Sequence, residues 1–407
     1  MNDEDGSGEA MFAQHLAFSE LLLGIKEGRF FQGRLNVSRL TLNEATVNVQ
    51  GLKQEILIQD AKDQNRALNG DVVAVEVLPK TKWIKGYRSA DMADVLDDKE
   101  AIEDLADEDD AATTAKLSLV QAINESRHQV TGRIVGVVKK MVKTYGGSIL
   151  CIDDMLPATQ LKYEQFAKAY GISTDLLHSH YRVFVPYNGQ IPQVLIKSKQ
   201  PAALEHKRMI VRITQWPVRS PFPFGQFVKI IGQEGRIKTE TDMILHEYNV
   251  DTRPFSQKVL NCLSPEGKNW QASPEEMGRR WDLRHLDVCS VDPPGCKDID
   301  DALHCIILPN GNYEVGVHIA DVSHFVKAGT EIDKEAARRC TTVYMVDRRT
   351  DMLPALLTEN LCSLVSKVDR MSFSVIWEID YNTFECVNAR FGKSCIKSRA
   401  SLTYYQA

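Results

Sequence analysis

Between Leu303 and Ile319 the chain passes through two apolar patterns separated by a turn. Leu303 to Leu308 is an apolar run, Pro309-Asn310-Gly311-Asn312 has turn composition, and Tyr313, Val315, Val317 and Ile319 then alternate with Glu314, Gly316 and His318. A period of two beside a Gly-containing turn predicts a β-hairpin whose polar face carries Glu314, Gly316 and His318. Upstream, short strand patterns recur in two blocks. Gly33-Arg34-Leu35 opens the first, Thr46 to Val49 and Glu55 to Ile58 continue it, and Asn69-Gly70-Asp71 with Val72 to Leu78 closes it. Gly132-Arg133-Ile134 opens the second, whose later strands are Met209 to Thr214 and Gln226 to Ile231. Blocks of this size predict two small barrels ahead of a rigid hairpin scaffold.

Composition changes this picture little. A chain of 407 residues with 43% hydrophobic content can hold two to four domains with packed cores. No apolar run approaches the roughly 18 residues of a membrane span, and the first residues, Met1-Asn2-Asp3-Glu4-Asp5-Gly6, are acidic where a secretory signal is basic. No membrane partner is therefore expected. The nine cysteines contain no C-x-x-C pair, so neither a zinc site nor a disulfide framework is indicated, and reduced core thiols in a cytosolic or nuclear compartment are expected.

Charge is more informative once it is mapped. Eleven acidic residues and one basic residue, Lys99, lie between Asp91 and Asp110; this local charge of −10 leaves +4 for the remainder of a chain whose formal total is −6. Such a block predicts a mobile or weakly helical insert over about 85–114, and a partner-binding tail or an RNA mimic is the alternative.

The densest chemistry lies in Asp292-Pro293-Pro294-Gly295-Cys296-Lys297-Asp298-Ile299-Asp300-Asp301. Four carboxylates in ten residues repel one another and call for divalent cations. Oxygen-only donors suit Mg2+, with Mn2+ as the alternative hard ion. Calcium-loop spacing fails: with Asp298 at position 1, positions 5, 6 and 12 are Ala302, Leu303 and Pro309, where an oxygen donor, a glycine and a glutamate are needed. A solvated acidic turn is the competing reading, weakened by the apolar residues of Leu286 to Val291 before the motif and by the strand pattern after it. Cys296 lies inside the motif, where neighbouring carboxylates raise a thiol pKa and argue against a nucleophile.

The string Val291-Asp-Pro-Pro-Gly-Cys-Lys-Asp-Ile-Asp-Asp-Ala-Leu-His304, followed by Val315-Gly-Val-His-Ile-Ala-Asp-Val-Ser-His-Phe325, closely resembles the catalytic domain of the ribonuclease II/R superfamily. Thr342 to Pro354, Asn360 to Leu364, Asp369-Arg370 and Phe373 to Glu378 extend the resemblance, which is strongest to the exoribonuclease subunits of the eukaryotic RNA exosome. It implies Mg2+-dependent, processive 3′→5′ hydrolysis of single-stranded RNA to 5′-nucleoside monophosphates, in partnership with exosome core subunits in the nucleus, nucleolus and cytoplasm. No nicotinamide or flavin is implied. Asp292, Asp298, Asp300 and Asp301 become the expected metal and catalytic residues, with Asp300 the least replaceable, and Tyr344 the aromatic that stacks on the terminal base. His318 and His324 are expected to make structural hydrogen bonds or RNA contacts rather than to ligate, since a two-metal mechanism needs no imidazole.

By the same resemblance the fold class is multidomain and β-rich: two tandem cold-shock/OB-fold barrels, then the first half of an α+β ribonuclease II catalytic domain. The expected division is 1–28 acidic leader and helical junction, 29–128 first barrel with the acidic insert, 129–236 second barrel and 237–407 catalytic domain. OB-folds bind nucleic acid through aromatic platforms and basic grooves, so Phe30, Phe31 and Arg34 are candidates in the first barrel and Arg133, Lys139, Lys140 and Lys143 in the second. The second barrel departs from its relatives at Tyr187 to Pro192, which lacks their basic pair, and in an added segment around Lys162 to Ser179. The resemblance also predicts further chain on both sides: a PIN domain before, and beyond Ala407 the rest of the catalytic domain with a second base-clamping aromatic, a phosphate-facing arginine and an S1 domain.

An acidic block that competes with phosphate for basic faces lowers RNA affinity most at low salt. Deletion of Asp91 to Asp110 is therefore expected to tighten RNA binding in a filter assay at low salt. Unchanged affinity and salt slope would leave the block as a linker.

Overall fold

In Phe31–Val37 every second side chain is apolar or small toward the core, with Phe31, Leu35 and Val37 buried and Gln32, Arg34 and Asn36 exposed. That strand is the middle of an antiparallel sheet ordered Ile56–Ile58, Ala45–Asn48, Phe31–Val37, Val72–Val77 and Gly132–Lys139. The computed structural model describes residues 10–41, 44–85 and 111–407. The leader over 1–9 and the acidic stretch over 86–110 lie outside the described residues. Two compact units account for the chain, Met1–Tyr248 and Asn249–Ala407.

The first sheet corrects the expected division at 128/129. Gly132–Lys139 does not open the second barrel; it pairs with Val72–Val77, placing Arg133 opposite Glu76. Apolar alternation determines which side a strand buries but carries no information about which neighbour it pairs with. Gly132 has a steric reason to be glycine: a Cβ there would stand 2.6 Å from Val75 Cγ1 and 2.7 Å from Ile56 Cγ2. A bridge between Leu57 and Thr131 draws the edges of this sheet together. The interior is filled by Phe31, Leu35, Val47, Ile56, Ile58, Val73, Val75 and Ile134.

Residues 111–114, the end of the insert read as mobile or weakly helical, begin a helix, Ala111–Asn124, whose Ile123 is buried in this core with Leu119 and Val120 beside it. The junction expected over 11–28 is helical only at Phe18–Lys26. Ahead of it, Met11 and Phe12 donate their backbone N–H groups to Val218 O at 2.9 and 3.1 Å, and Leu16 N–H donates to Val135 O at 3.1 Å.

The second barrel is closed, in the order Val194–Lys197, Phe224–Gln233, Lys207–Gln215, Thr144–Ile149, Tyr181–Pro186. Antiparallel pairs make up the ring except where Leu195 and Ile196 run parallel to Phe224 and Gly225. The added segment forms two helices, Pro157–Ala169 and Thr174–His180, which pack Tyr163, Phe166 and Leu177 against Tyr181, Val183, Leu195 and Phe222 on the barrel exterior. Helix Ile237–Glu247 also belongs to this unit: a Cβ at Gly146 would lie 2.2 Å from Met243 Cε, so the helix rests directly on the barrel. The start expected at 237 for the catalytic part thus moves to Asn249.

The second unit is built on a seven-stranded sheet ordered Trp281–Asp282, Cys386–Lys397, Asp369–Ile379, Tyr313–Ala320, Asp301–Ile307, Cys289–Asp292, Ala400–Thr403. The expected hairpin is there, with Leu303 opposite Val317 and Cys305 opposite Val315, and its turn holds Gly311 at φ +88°. Its facing is the reverse of the expectation. Gly316, His318 and Ala320 face the packed side with Ala302, His304, Ser372, Ser374 and Ile376, whereas Ile319 and Leu303 are 44% and 42% exposed. The packed side is covered by helix Glu331–Arg339, through Ile332 and Ala336, and by a helical turn over Leu357–Leu361.

Truncating a fully buried isoleucine costs roughly 2–5 kcal/mol. Ile123→Ala is accordingly expected to lower the unfolding free energy of the first unit, measured by urea titration, by an amount in that range. An unaltered transition would remove the Ala111–Asn124 helix from the core.

Candidate active site

The acidic segment is a loop suspended between two neighbouring strands. Asp292 ends Cys289–Asp292, Asp301 begins Asp301–Ile307, and Gly295 takes a left-handed φ of +82° that lets the chain turn between them. Ile299 anchors the loop: its side chain is buried, its N–H donates to Ser363 Oγ at 3.1 Å, and its carbonyl accepts from Leu364 N at 2.8 Å. Ser363 Oγ donates in turn to Lys297 O at 2.7 Å, and Asp300 O accepts from Ala320 N at 2.9 Å. Backbone pinning of this kind leaves the carboxylates on either side of Ile299 to project outward.

Their environments differ. Asp292 and Asp298 are half-buried, while Asp300 and Asp301 reach solvent. Partial burial, then the negative charges of Asp298, Asp301 and Asp292, raise the Asp300 carboxyl above the usual carboxylate range. Asp292 Oδ2 is buried with no hydrogen-bond partner. An orphaned carboxylate oxygen beside a set of mutually repelling hard oxygen donors fits a hard divalent cation. Yet the four do not converge: among the described residues no group of three or more His, Cys, Asp or Glu side chains is arranged to hold a metal.

Of the four, Asp298 has its carboxylate bound by other side chains. Tyr344 Oη donates to Asp298 Oδ2, and Arg349 Nη1 donates to Asp298 Oδ1 at 2.7 Å. The hydrogen bond to Asp298, with burial second, pushes the Tyr344 phenol up to about 12, so it remains a donor at neutral pH. Its side chain is otherwise 64% exposed. Arg349 escaped the sequence reading although it lies within the Thr342 to Pro354 stretch; the signal available was an arginine five residues from Tyr344 across a short turn. Cys296 is raised to about 11, by burial first and by Asp292 and Asp298 after it, which leaves it a neutral thiol.

His318 is fully buried, hydrogen-bonded to Ser374 Oγ at 2.7 Å and to the His304 ring at 2.8 Å, and His304 reaches Glu314 at 3.3 Å. His324 Nδ1 accepts from Arg280 at 3.3 Å, and Arg280, wholly buried, pairs with Asp321 at 2.7 Å. Both imidazoles are thus held in polar networks on the packed side of the sheet.

The candidates of the first unit separate by exposure. Phe30 and Phe31, 6% and 3% exposed, are core residues and cannot be stacking platforms. Arg34, Lys139 and Lys140 are exposed, Arg133 is paired with Glu76 at 2.6 Å, and half-buried Lys143 donates to Glu247 O at 3.1 Å. Arg133, Lys139 and Lys140 stand at or next to the last strand of the first sheet, not in the second barrel.

Three families match in sequence: the Rrp44-like cold shock domain over residues 9–150, the Dis3-like cold-shock domain 2 over 181–249 and the RNB domain over 280–407. The structure resembles RNase R of Mycoplasma genitalium in complex with ribose methylated single-stranded RNA (TM-score 0.63, 17% identity, 92% of this chain and 48% of that one). It also resembles yeast Ssd1, a pseudonuclease (TM-score 0.62, 22% identity, 98% and 47%), so the fold alone does not decide activity. The residues that match the RNB domain hold both the acidic loop and Tyr344, and the chain belongs to the ribonuclease II/R superfamily. Within it the similarity is to the exosome type: the chain is 45% identical over 408 residues to exosome complex exonuclease RRP44 of Mus musculus, covering all of this chain and 39% of that relative.

Burial and the adjacent His304 lower the His318 imidazole from 6.5 to about 4. The unfolded chain therefore protonates first on acidification, and the stabilisation, complete above about 6.5, is lost as pH falls toward about 4. Urea unfolding at pH 5 is expected to show lower stability than at pH 7, with roughly 2 kcal/mol of the difference due to this group. His318→Gln should shrink the difference by that amount, and an undiminished difference would assign it elsewhere.

Proposed function

We propose that this chain supplies the RNA-guiding barrels and the acidic metal loop of a Mg2+-dependent, processive 3′→5′ exoribonuclease that releases 5′-nucleoside monophosphates from single-stranded RNA. In this reading it works with exosome core subunits in RNA processing, including that of ribosomal RNA, and in RNA decay, in the nucleus, nucleolus and cytoplasm. The observation that carries the proposal is the meeting of the acidic loop and an exposed aromatic at one carboxylate, Asp298 with Tyr344.

Asp292, Asp298, Asp300 and Asp301 would hold the cation. Bound there, Mg2+ or Mn2+ supplies charge neutralisation at the phosphate and water activated for attack. Tyr344 offers its ring to the terminal base, a contact worth about 1–3 kcal/mol that is tolerant of base identity. Arg34, Lys139 and Lys140 offer positive charge to phosphates on the first barrel, a salt-sensitive contribution that positions RNA without reading its sequence. By the family resemblance, Asp300 is the residue on which hydrolysis depends most.

A second reading, a chain that binds RNA without cutting it, is favoured by the absence of a converged metal-binding group among the described residues. Incubation with 5′-labelled single-stranded RNA, with and without Mg2+ and beside Asp300→Asn, separates the two. Shortening from the 3′ end that needs both Mg2+ and Asp300 is expected, with RNA affinity in Asp300→Asn changed by less than a few-fold. Retention of intact RNA by both proteins would support the binding reading, and degradation by Asp300→Asn would remove this residue from the mechanism.

A further inference from the structure

Tyr344 and Arg349 face each other across a two-stranded ribbon, Val343–Tyr344 with Arg349–Thr350. From these opposed positions both reach a single carboxylate, Tyr344 taking Oδ2 of Asp298 and Arg349 taking Oδ1. The ribbon closes over itself through Met345 N–H to Arg348 O at 2.8 Å. Arg349 is held at its other edge by Asp351 at 2.5 Å and Glu359 at 2.7 Å. Its guanidinium therefore bridges a carboxylate of the acidic loop and two carboxylates of the segment that follows the ribbon.

Charge and geometry make this bridge incompatible with a cation on the same oxygen. A hard divalent ion approaches a carboxylate oxygen to about 2.0–2.1 Å for Mg2+, whereas a guanidinium nitrogen already lies 2.7 Å from Asp298 Oδ1. Two like charges would then share one oxygen atom in a half-buried place, where screening is weak. The phenol is different: it is neutral, and each carboxylate oxygen has a second lone-pair direction to offer. Arg349 is thus the member that must yield, and it has Asp351 and Glu359 to retain it when it does.

We propose that Arg349, seconded by Tyr344, is a latch on Asp298 that withholds this carboxylate from the divalent cation until the cation displaces the guanidinium. The latch rests on the reading that the aspartates hold a metal. It makes Arg349 a positioning residue with a sign opposite to that of a ligand: its removal strengthens metal binding. Because Tyr344 bonds the other oxygen of the same carboxylate, its hydroxyl can stay in place while the guanidinium leaves.

Titration of the 407-residue chain with Mn2+, read by loss of the free-ion EPR signal, tests this with the metal alone. Arg349→Gln is expected to tighten Mn2+ binding about 3- to 10-fold, tenfold corresponding to about 1.4 kcal/mol. Tyr344→Phe, which deletes one hydroxyl from an exposed side chain, is expected to shift it in the same direction by less. Arg348→Gln removes an equal charge from the same turn, from a side chain paired with Asp347 at 3.4 Å, and should leave affinity nearly unchanged. Damage to the fold lowers affinity, so a gain in Arg349→Gln cannot come from misfolding. Binding that is equal or weaker in Arg349→Gln, or a gain matched by Arg348→Gln, overturns the latch. Asp300→Asn separates the two claims: Mn2+ binding that ignores this substitution, or no binding at all, overturns the metal reading and the latch with it, whereas Asp300-dependent binding with no gain in Arg349→Gln overturns the latch alone.

Discussion

The peptide unit around Ile299 holds the acidic loop in place. Its N–H is bound to Ser363 Oγ, its carbonyl to Leu364 N, and its side chain is sunk among Val288, Ala302 and Leu364. Mutual repulsion would drive Asp298, Asp300 and Asp301 apart if the loop were free, so the backbone must be fixed by bonds that do not involve the carboxylates. Everything distinctive about the site follows. Asp292 is left with a buried oxygen unserved, Asp300 has a raised pKa, and Asp298 is neutralised by the ribbon.

Beneath the loop, the packed side of the sheet is polar to an unusual degree. Ser372, Ser374 and Ser394 join their hydroxyls at 2.5 and 2.6 Å, His318 and His304 extend the chain of bonds, and Arg280 with Asp321 lies close by through the Ser372 and Ser394 carbonyls. Buried polar groups are tolerable only when each finds a partner, and a partnered network fixes side-chain positions more tightly than an apolar layer does. Such a floor suits a loop whose carboxylates must be placed to within fractions of an ångström.

Much of this was legible in the residues. The hairpin at 303–319, the β-rich blocks and the acidic motif could be read because local periodicity, turn chemistry and charge density are local properties. What escaped was non-local. Gly132–Lys139 reads as the opening of a new block because its alternation resembles that of Phe31–Val37, and only pairing with Val72–Val77 shows otherwise. The facing of Tyr313–Ala320 was inverted because a rule that sends histidine outward ignores a serine and a second histidine waiting on adjacent strands. Phe30 and Phe31 could not be told from a stacking platform by composition. Arg349 was missed because its spacing from Tyr344 hints at a ribbon but not at which carboxylate the guanidinium reaches.

The second barrel closes on itself through one short parallel pairing, Leu195 and Ile196 with Phe224 and Gly225. A ring of strands without a gap offers no row of free amide and carbonyl groups, so no extended peptide can be captured there by β-augmentation.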